Sequence, residues 1–281
     1  MLKLDGKELA NKLYAKLGDI PNKEKYKLII LTVGNDEASK VYVKNKIKAC
    51  EKVGIACENI KLDDSMNQME FSHYIETLID DEFYDNDSPY DSGGVILQLP
   101  APKHYQKAFN EIMPPHLDVD GFGEFNQLML VQGEIPPNYP ATPKGIITLL
   151  DDYKINIEGK HVVIVGRSEI VGKPLAFMML NRNATVTICH SKTQHLEDIT
   201  KTADILVAAI GKPKFIKAKH VKDNAVVIDV GINRTPDGIC GDVDFEDVKD
   251  KCYAITPVPG GVGPMTVYSL IENVLTDGRE K

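Results

Sequence analysis

The sequence lacks a basic excess. Its 281 residues carry 41 acidic side chains against 33 Lys and Arg, a net charge of −8. A surface that follows nucleic-acid phosphates needs the opposite balance, so a nucleic-acid partner is not expected. Long apolar runs are missing too. The longest, "VVIVG" and "ADILVAAIG", are strand-sized and fall well short of the roughly 20 residues that span a bilayer, so no membrane partner is expected. Paired cysteines are also absent. Cys50, Cys57, Cys189, Cys240 and Cys252 are odd in number, scattered and free of any C-x-x-C pair, which points to buried thiols and to neither a disulfide framework nor a metal site. The N-terminal "MLKLDGKELANKLYAKL" has helical periodicity with acidic residues interspersed. It shows neither a cleavable apolar core nor an Arg-rich transit pattern, and a cytoplasmic product is expected.

What is present is alternation: short β-branched runs separated by longer amphipathic segments, the pattern of βα units and a parallel sheet. The class is α/β. In the first half a strand is predicted at Lys27–Val33, a helix from about Ala38 to Val53, and a strand at "GGVILQLP" ending before Pro100, with "DDEFYDNDSPYDSGG" as an acidic loop. In the second half "KHVVIVG", "ATVTICH", "ADILVAAIG" and "AVVIDVGI" read as four strands of a Rossmann-like nucleotide-binding domain. The boundary is placed in the Pro-rich "IPPNYPATPKGIITLLDDY", with Thr142 as helix N-cap and Pro143 at the first helical position.

After the strand "HVVIV" comes "GRSEIVGKP", which sets Gly166, Ser168 and Gly172 in a loose version of the dinucleotide fingerprint. A Gly at the strand end permits the tight turn, and one opening the helix lets backbone N–H groups approach a pyrophosphate. The spacing alone also fits a glycine-punctuated turn without a ligand. An acid to bind a ribose 2′-OH is missing from "ICHSKT", whereas Arg167 and Ser191 suit a 2′-phosphate, so NADP is preferred over NAD.

On the first-half helix Tyr42 and Lys46 stand at i and i+4 with Ser39 one turn earlier, so all three can leave one face. Lys40, Lys44, Lys48 and Lys52 share the helix, and by composition alone an accidental pair on a solvated face fits the pattern better. Gln98 interrupts an apolar run at the carboxyl end of a strand, where parallel sheets bind ligands and where an unpaired polar group costs stability. "LDVDG" supplies Asp118 and Asp120, in a pattern also typical of an ordinary Asp-rich turn. "ITPVPGGVGPMT" alternates rigid and permissive backbone ahead of a helix, a loop built to present backbone donors.

"SKVYVKNK", "VILQLP", "DVDGF", "PATPKGI", "VGRSEIVGKPLA", "GDVDFEDV" and "TPVPGGVGPMT", in this order over nearly the whole chain, resemble the bifunctional methylenetetrahydrofolate dehydrogenase/methenyltetrahydrofolate cyclohydrolase (FolD) family. The resemblance implies two α/β domains: a folate-binding catalytic domain (1–141 and 266–281), to which the C-terminal helix returns, and a Rossmann-like NADP-binding domain (142–265). It implies Tyr42 and Lys46 as the active-site pair, Gln98 supporting Lys46, and Asp120 on the pterin. Leu99, Pro100, Gly260, Gly261 and Pro264 are implied as further substrate contacts. Gly166, Arg167, Ser168, Gly172, Ser191 and Ile232 are implied as cofactor contacts, in a cytoplasmic homodimer acting on tetrahydrofolate derivatives. Leu117, Leu128, Ala101 and Ala141 depart from the family's usual residues.

The implied chemistry has two steps. Hydride transfer from 5,10-methylenetetrahydrofolate to NADP+ needs placement more than acid–base help. Hydrolysis of the methenyl cation to 10-formyltetrahydrofolate needs a moving proton, the task expected of Lys46. Alternatives are a dehydrogenase without efficient cyclohydrolase activity and a non-catalytic NADP- or folate-binding sensor.

Overall fold

A computed structural model describes residues 1–34 and 36–276. The chain forms two compact units, one of Lys12–Ala141 with Val267–Lys281 and one of Met1–Asn11 with Thr142–Thr266; residues 277–281 lie outside the described part. β1 (Leu2–Lys3) and α1 (Gly6–Leu17) open the chain.

The unit that follows holds β2 (Tyr26–Val33), α2 (Glu37–Val53), β3 (Ala56–Leu62), α3 (Gln68–Ile79), β4 (Ser92–Leu97), α4 (Lys103–Ile112) and α5 (Glu124–Gln132). Its three strands form a parallel sheet in the order β3-β2-β4, with Ile29 opposite Glu58 and Val95. Leu28, Ile29, Ile30 and Leu31 are all fully buried, as a central parallel strand requires. A core forms where Phe71 of α3 stacks on Tyr105 of α4, ring centroids 4.2 Å apart, beside Ile75, Val95 and Leu117. The acidic segment after α3 is not loop from its start. A π-helical turn spans Asp80–Tyr84, closed by Asp85 N–H on the Asp80 carbonyl at 2.8 Å, because Phe83 is drawn into the core.

The other unit contains α6 (Ala141–Asp152, shared at its first residue), β5 (His161–Val165), α7 (Gly172–Leu180), β6 (Thr185–Cys189), α8 (Leu196–Thr200), β7 (Ile205–Ala208) and β8 (Val226–Asp229). The hairpin β9 (Asn233–Thr235) and β10 (Gly238–Cys240), α9 (Phe245–Val248), β11 (Ala254–Ile255) and α10 (Val262–Thr276) complete the described chain. Its six parallel strands run β1-β11-β8-β7-β5-β6. The order reverses between β5 and β7, where an open parallel sheet leaves a crevice at its carboxyl ends. Leu2 pairs with Ala254 and Lys3 with Ile255, so residues 1–11 go with this sheet, a non-local pairing that the boundary drawn from sequence did not include.

Two local readings change. α6 begins at Ala141, whose N–H donates to the Asp120 carbonyl at 3.3 Å, so Thr142 sits inside the first turn rather than capping it; its hydroxyl lies 3.1 Å from the Thr266 hydroxyl. The strand read through "VVIDVGI" stops at Asp229, because its carboxylate accepts from Gly231 N–H at 3.0 Å and turns the chain.

Candidate active site

α2 starts at Asp36, whose carboxylate accepts the Ser39 N–H at 2.7 Å, an N-cap worth about 1 kcal/mol. It ends at Gly54, in the left-handed region with φ 92°, which favours glycine. The helix buries Val43, Ala49, Cys50 and Val53, and Lys46 with them at 8 % exposure. A buried ammonium is costly without a counter-charge. The Lys46 Nζ donates to Gln98 Oε1 at 3.1 Å, and no carboxylate lies within ion-pair range among the described residues.

Gln98 is held for this contact. Its N–H donates to the Leu31 carbonyl at 2.8 Å, continuing the β2–β4 ladder one residue past β4. Its Nε2 donates to the Leu99 carbonyl at 3.0 Å, which leaves Oε1 facing Lys46. Ser39 Oγ donates to the same carbonyl at 3.1 Å, and the following Leu99–Pro100 peptide is cis. Tyr42, one turn before Lys46, is 37 % exposed. α2 and the end of β4 thus bring Lys46, Gln98, Leu99 and Ser39 together, with Tyr42 on the same helix.

Asp118 and Asp120 separate in role. Asp118 is buried and accepts from Gly121, Phe122 and Gly123 N–H and from Asn126 Nδ2, at 2.7–3.2 Å. Burial pushes its carboxyl up to about 6 against those donors. Asp118 builds the turn, while the half-buried Asp120 carboxylate makes no hydrogen bond among the described residues, and none joins it to Lys46 or Gln98. Of the departures from the family pattern, Leu117 packs in the apolar core, Ala141 is buried, Ala101 packs on the core and Leu128 is exposed.

In the other unit a cavity of about 250 Å³ lies at the reversal point of the sheet, lined by Gly166 and Arg167 after β5, His190 and Ser191 after β6, and Ile210 and Lys212 after β7. Gly166 has φ 136°, and a Cβ there would meet the Ala209 carbonyl oxygen at 2.2 Å; a Cβ on Gly172 would meet the Gly166 carbonyl oxygen at 2.3 Å. Both glycines are required by close backbone approach. Ser168 Oγ accepts from Val171 and Gly172 N–H at 3.2 and 3.3 Å, satisfying donors at the start of α7 rather than lining the cavity. Arg167 and Ser191 are exposed at its rim, where a phosphate ester can reach them. Ile232 does not line it; its Cδ1 lies 3.6 Å from a Cβ placed on Gly263.

Gly260, Gly261 and Pro264 belong to this same unit. The Lys7 N–H donates to the Gly260 carbonyl at 2.9 Å, and a Cβ on Gly6 would lie 2.0 Å from the Gly261 carbonyl oxygen. The loop is locked against the start of α1, with Pro264 in the first turn of α10.

Sequence reasoning missed His190 and Lys212 in the cavity wall and Asp242 behind it. Asp242, fully buried, accepts from Ile210, Gly211 and Lys212 N–H at 2.7, 3.0 and 2.8 Å, and from Asn233 Nδ2 at 2.8 Å. Asp229 supports it: its carboxylate accepts the N–H groups of Gly231, Asp242 and Val243, while burial pushes it up to about 7. The signal available was "GDVD", quoted as a motif but given no task.

Family models match along the chain: the catalytic domain of tetrahydrofolate dehydrogenase/cyclohydrolase over residues 4–120 and its NAD(P)-binding domain over 140–281. A bifunctional protein FolD of Agathobacter rectalis is 47 % identical over 96 % of both chains. A crystal structure of the bifunctional FolD enzyme of Campylobacter jejuni superposes with TM-score 0.91 at 40 % identity, covering 99 % of each chain. A Trypanosoma brucei FolD, solved with NADP cofactor and an inhibitor, does so with TM-score 0.87 at 30 % identity over 99 % of this chain and 97 % of its own. The chain belongs to the FolD family of bifunctional methylenetetrahydrofolate dehydrogenase/cyclohydrolases.

Proposed function

We propose that Lys46, held by Gln98, is the proton-transferring group of this NADP-dependent methylenetetrahydrofolate dehydrogenase and methenyltetrahydrofolate cyclohydrolase. The supporting observation is the buried Lys46 ammonium, hydrogen-bonded to a neutral amide and, among the described residues, paired with no carboxylate. A buried ammonium without a carboxylate partner is costly, and a bound ligand facing it would offset that cost. Folate chemistry is assigned to the unit of α2 and β4, and NADP to the six-stranded unit; the domain limits 1–141 with 266–281, and 142–265, belong to this reading, except that residues 1–11 go with the six-stranded unit. So does a cytoplasmic homodimer. No helix among the described residues is long and apolar enough to cross a membrane.

NADP supplies a hydride acceptor when bound. The glycines at 166 and 172 fit its pyrophosphate through backbone approach, and Arg167 and Ser191 fit the 2′-phosphate at the cavity rim. In the first reaction the chain's task is to place the folate methylene carbon, with Asp120 accepting hydrogen bonds from pterin N–H groups and Tyr42 beside the reacting end. In the second, water adds to the methenyl carbon and loses both protons as the formyl C=O forms and the other C–N bond breaks: one goes to the folate nitrogen that is released and one to solvent. Lys46 moves the proton that reaches the nitrogen, and Gln98 Oε1 keeps the amine in place. Leu99, Pro100, Gly260, Gly261 and Pro264 complete the proposed folate contacts, and Ser168 and Ile232 the proposed cofactor contacts.

The reading is tested by mixing purified protein with 5,10-methylenetetrahydrofolate and either NADP+ or NAD+, following NADPH and methenyl absorbance separately. NADPH formation without lasting methenyl accumulation is expected, with NAD+ the poorer acceptor. Methenyl accumulation at a fixed level would contradict the second activity, and equal use of NAD+ would contradict the 2′-phosphate assignment.

A further inference from the structure

α2 carries, one turn beyond Lys46, the fully buried Cys50, and the chain returns to it. Gly54 and Ile55 N–H both donate to the Cys50 carbonyl, at 2.8 and 3.2 Å, a tight turn that sends the chain straight into β3. Cys57 is the second residue of β3. Strand alternation sets it on the face of Asn59 and Lys61. That face is turned to α2, because Asn59 and Lys61 line a groove of about 380 Å³ together with Lys44, Lys48 and Glu51 of the helix. The two thiols lie on facing sides of this turn, one on α2 and one on the α2-facing side of β3, and they are unlike: Cys50 is fully buried, whereas Cys57 is half-exposed on the edge strand of the sheet.

We propose that Cys50 and Cys57 form an oxidisable dithiol, with Cys57 the peroxide-reactive sulfur and Cys50 the resolving one, whose disulfide displaces Lys46. The asymmetry follows from the surroundings. The Cys50 thiol is pushed up by its interaction with Cys57 and by burial, whereas Cys57, partly open to solvent, is held below the usual thiol range by Cys50 and Lys46 against its own burial and the Glu51 and Glu58 charges. A lowered, partly accessible thiol beside a second one is the arrangement that peroxides oxidise selectively. The Cys57 thiolate attacks one peroxide oxygen, the O–O bond breaks, and water (or an alcohol, from an alkyl peroxide) leaves with a proton. The Cys50 sulfur then attacks the sulfenic sulfur, its proton leaves with the hydroxide as water, and an S–S bond forms. One peroxide is reduced by two electrons as the thiol pair loses two.

A disulfide draws two sulfurs from van der Waals contact to about 2.05 Å with a fixed dihedral. The last turns of α2 must follow, and the Lys46–Gln98 bond, 3.1 Å long, is one turn away on that helix. This consequence for activity rests on the role given to Lys46 above; the modification itself does not.

The test treats the whole protein with equimolar hydrogen peroxide, maps thiols by peptide mass spectrometry and assays methenyltetrahydrofolate hydrolysis. A Cys50–Cys57 disulfide that dithiothreitol reverses is expected, with hydrolysis falling at least tenfold and recovering on reduction. Cys57→Ser should keep its activity through the same treatment, and Cys50→Ser should stop at a sulfenic acid on Cys57, trapped by dimedone. Both thiols left free, or Cys240 oxidised in preference to Cys57, would overturn the site. A formed disulfide with unchanged hydrolysis would overturn its coupling to Lys46. If Lys46→Met separately leaves hydrolysis intact, it is the role of Lys46 that fails, and the disulfide map still decides the modification.

Discussion

Each unit contains a buried aspartate that does nearly the same work. Asp118 accepts three successive backbone N–H groups and one asparagine amide, and so does Asp242. Each fixes a loop at the end of a parallel sheet, and each loop carries a side chain proposed or placed at a ligand site: Asp120 in one case, Lys212 in the other. They differ in reach. Asp118 binds the chain that immediately follows it, whereas Asp242 binds a loop some thirty residues earlier and is itself held by Asp229. One turn is self-contained, and the other depends on the tertiary structure of its unit.

The largest effect is expected where that dependence is broken. Asp242→Ala leaves three N–H groups and the Asn233 amide without acceptors in the interior. Each orphaned group costs about 1–3 kcal/mol, so a loss of at least about 3 kcal/mol is expected in denaturant unfolding. The KM for NADP+ should rise, while hydrolysis of supplied methenyltetrahydrofolate is largely kept in the folded fraction. Asp118→Ala should cost less, about 2 kcal/mol, because its short loop can relax towards water. Its kinetic defect should fall on folate KM instead. A mutant pair with identical defects would erase the distinction.

A pH series sharpens it. Burial raises Asp118 to about 6, above the ordinary carboxylate value near 4. Between those values the unfolded chain ionises this group first and the folded chain holds the extra proton, so its contribution to stability is full below about pH 4 and falls as pH rises to about 6. The stability difference between the protein and Asp118→Ala should therefore shrink across that window and level off above it. The smallest stability changes are expected at the ligand-facing ends. Asp120→Ala and Arg167→Ala should unfold within about 0.5 kcal/mol of the parent. Yet the first should raise folate KM about tenfold, the size of one charged hydrogen bond, and the second should raise KM for NADP+ but not for NAD+.

The same contrast explains what could be read from the sequence. Asp118 lies within three residues of Gly121, so "LDVDG" announces a turn, and the pair at 42 and 46 announces one helical face. Gly172 was legible because the Gly166 carbonyl it approaches lies within the same βα turn; Gly166 was legible from its place at the strand end, although the Ala209 carbonyl it approaches lies just after the neighbouring strand β7. The pairing of Leu2 with Ala254, the start of α6 on the Asp120 carbonyl and the grip of Asp242 on the Lys212 loop were not, since each partner is fixed only by the tertiary fold. Gln98 stands between: its polarity at a strand end marked it out, but its amide orientation depends on Leu99 and Lys46.

The most direct test of the central claim is Lys46→Met, which keeps length and burial and removes the amine. Both activities should be followed in one reaction starting from 5,10-methylenetetrahydrofolate and NADP+. General acid–base groups contribute about 10²- to 10⁴-fold, so hydrolysis should fall by at least about a hundredfold while NADPH formation stays measurable and methenyltetrahydrofolate accumulates. A folded Lys46→Met protein that hydrolyses methenyltetrahydrofolate at the parental rate, or loses both activities equally, would contradict the assignment.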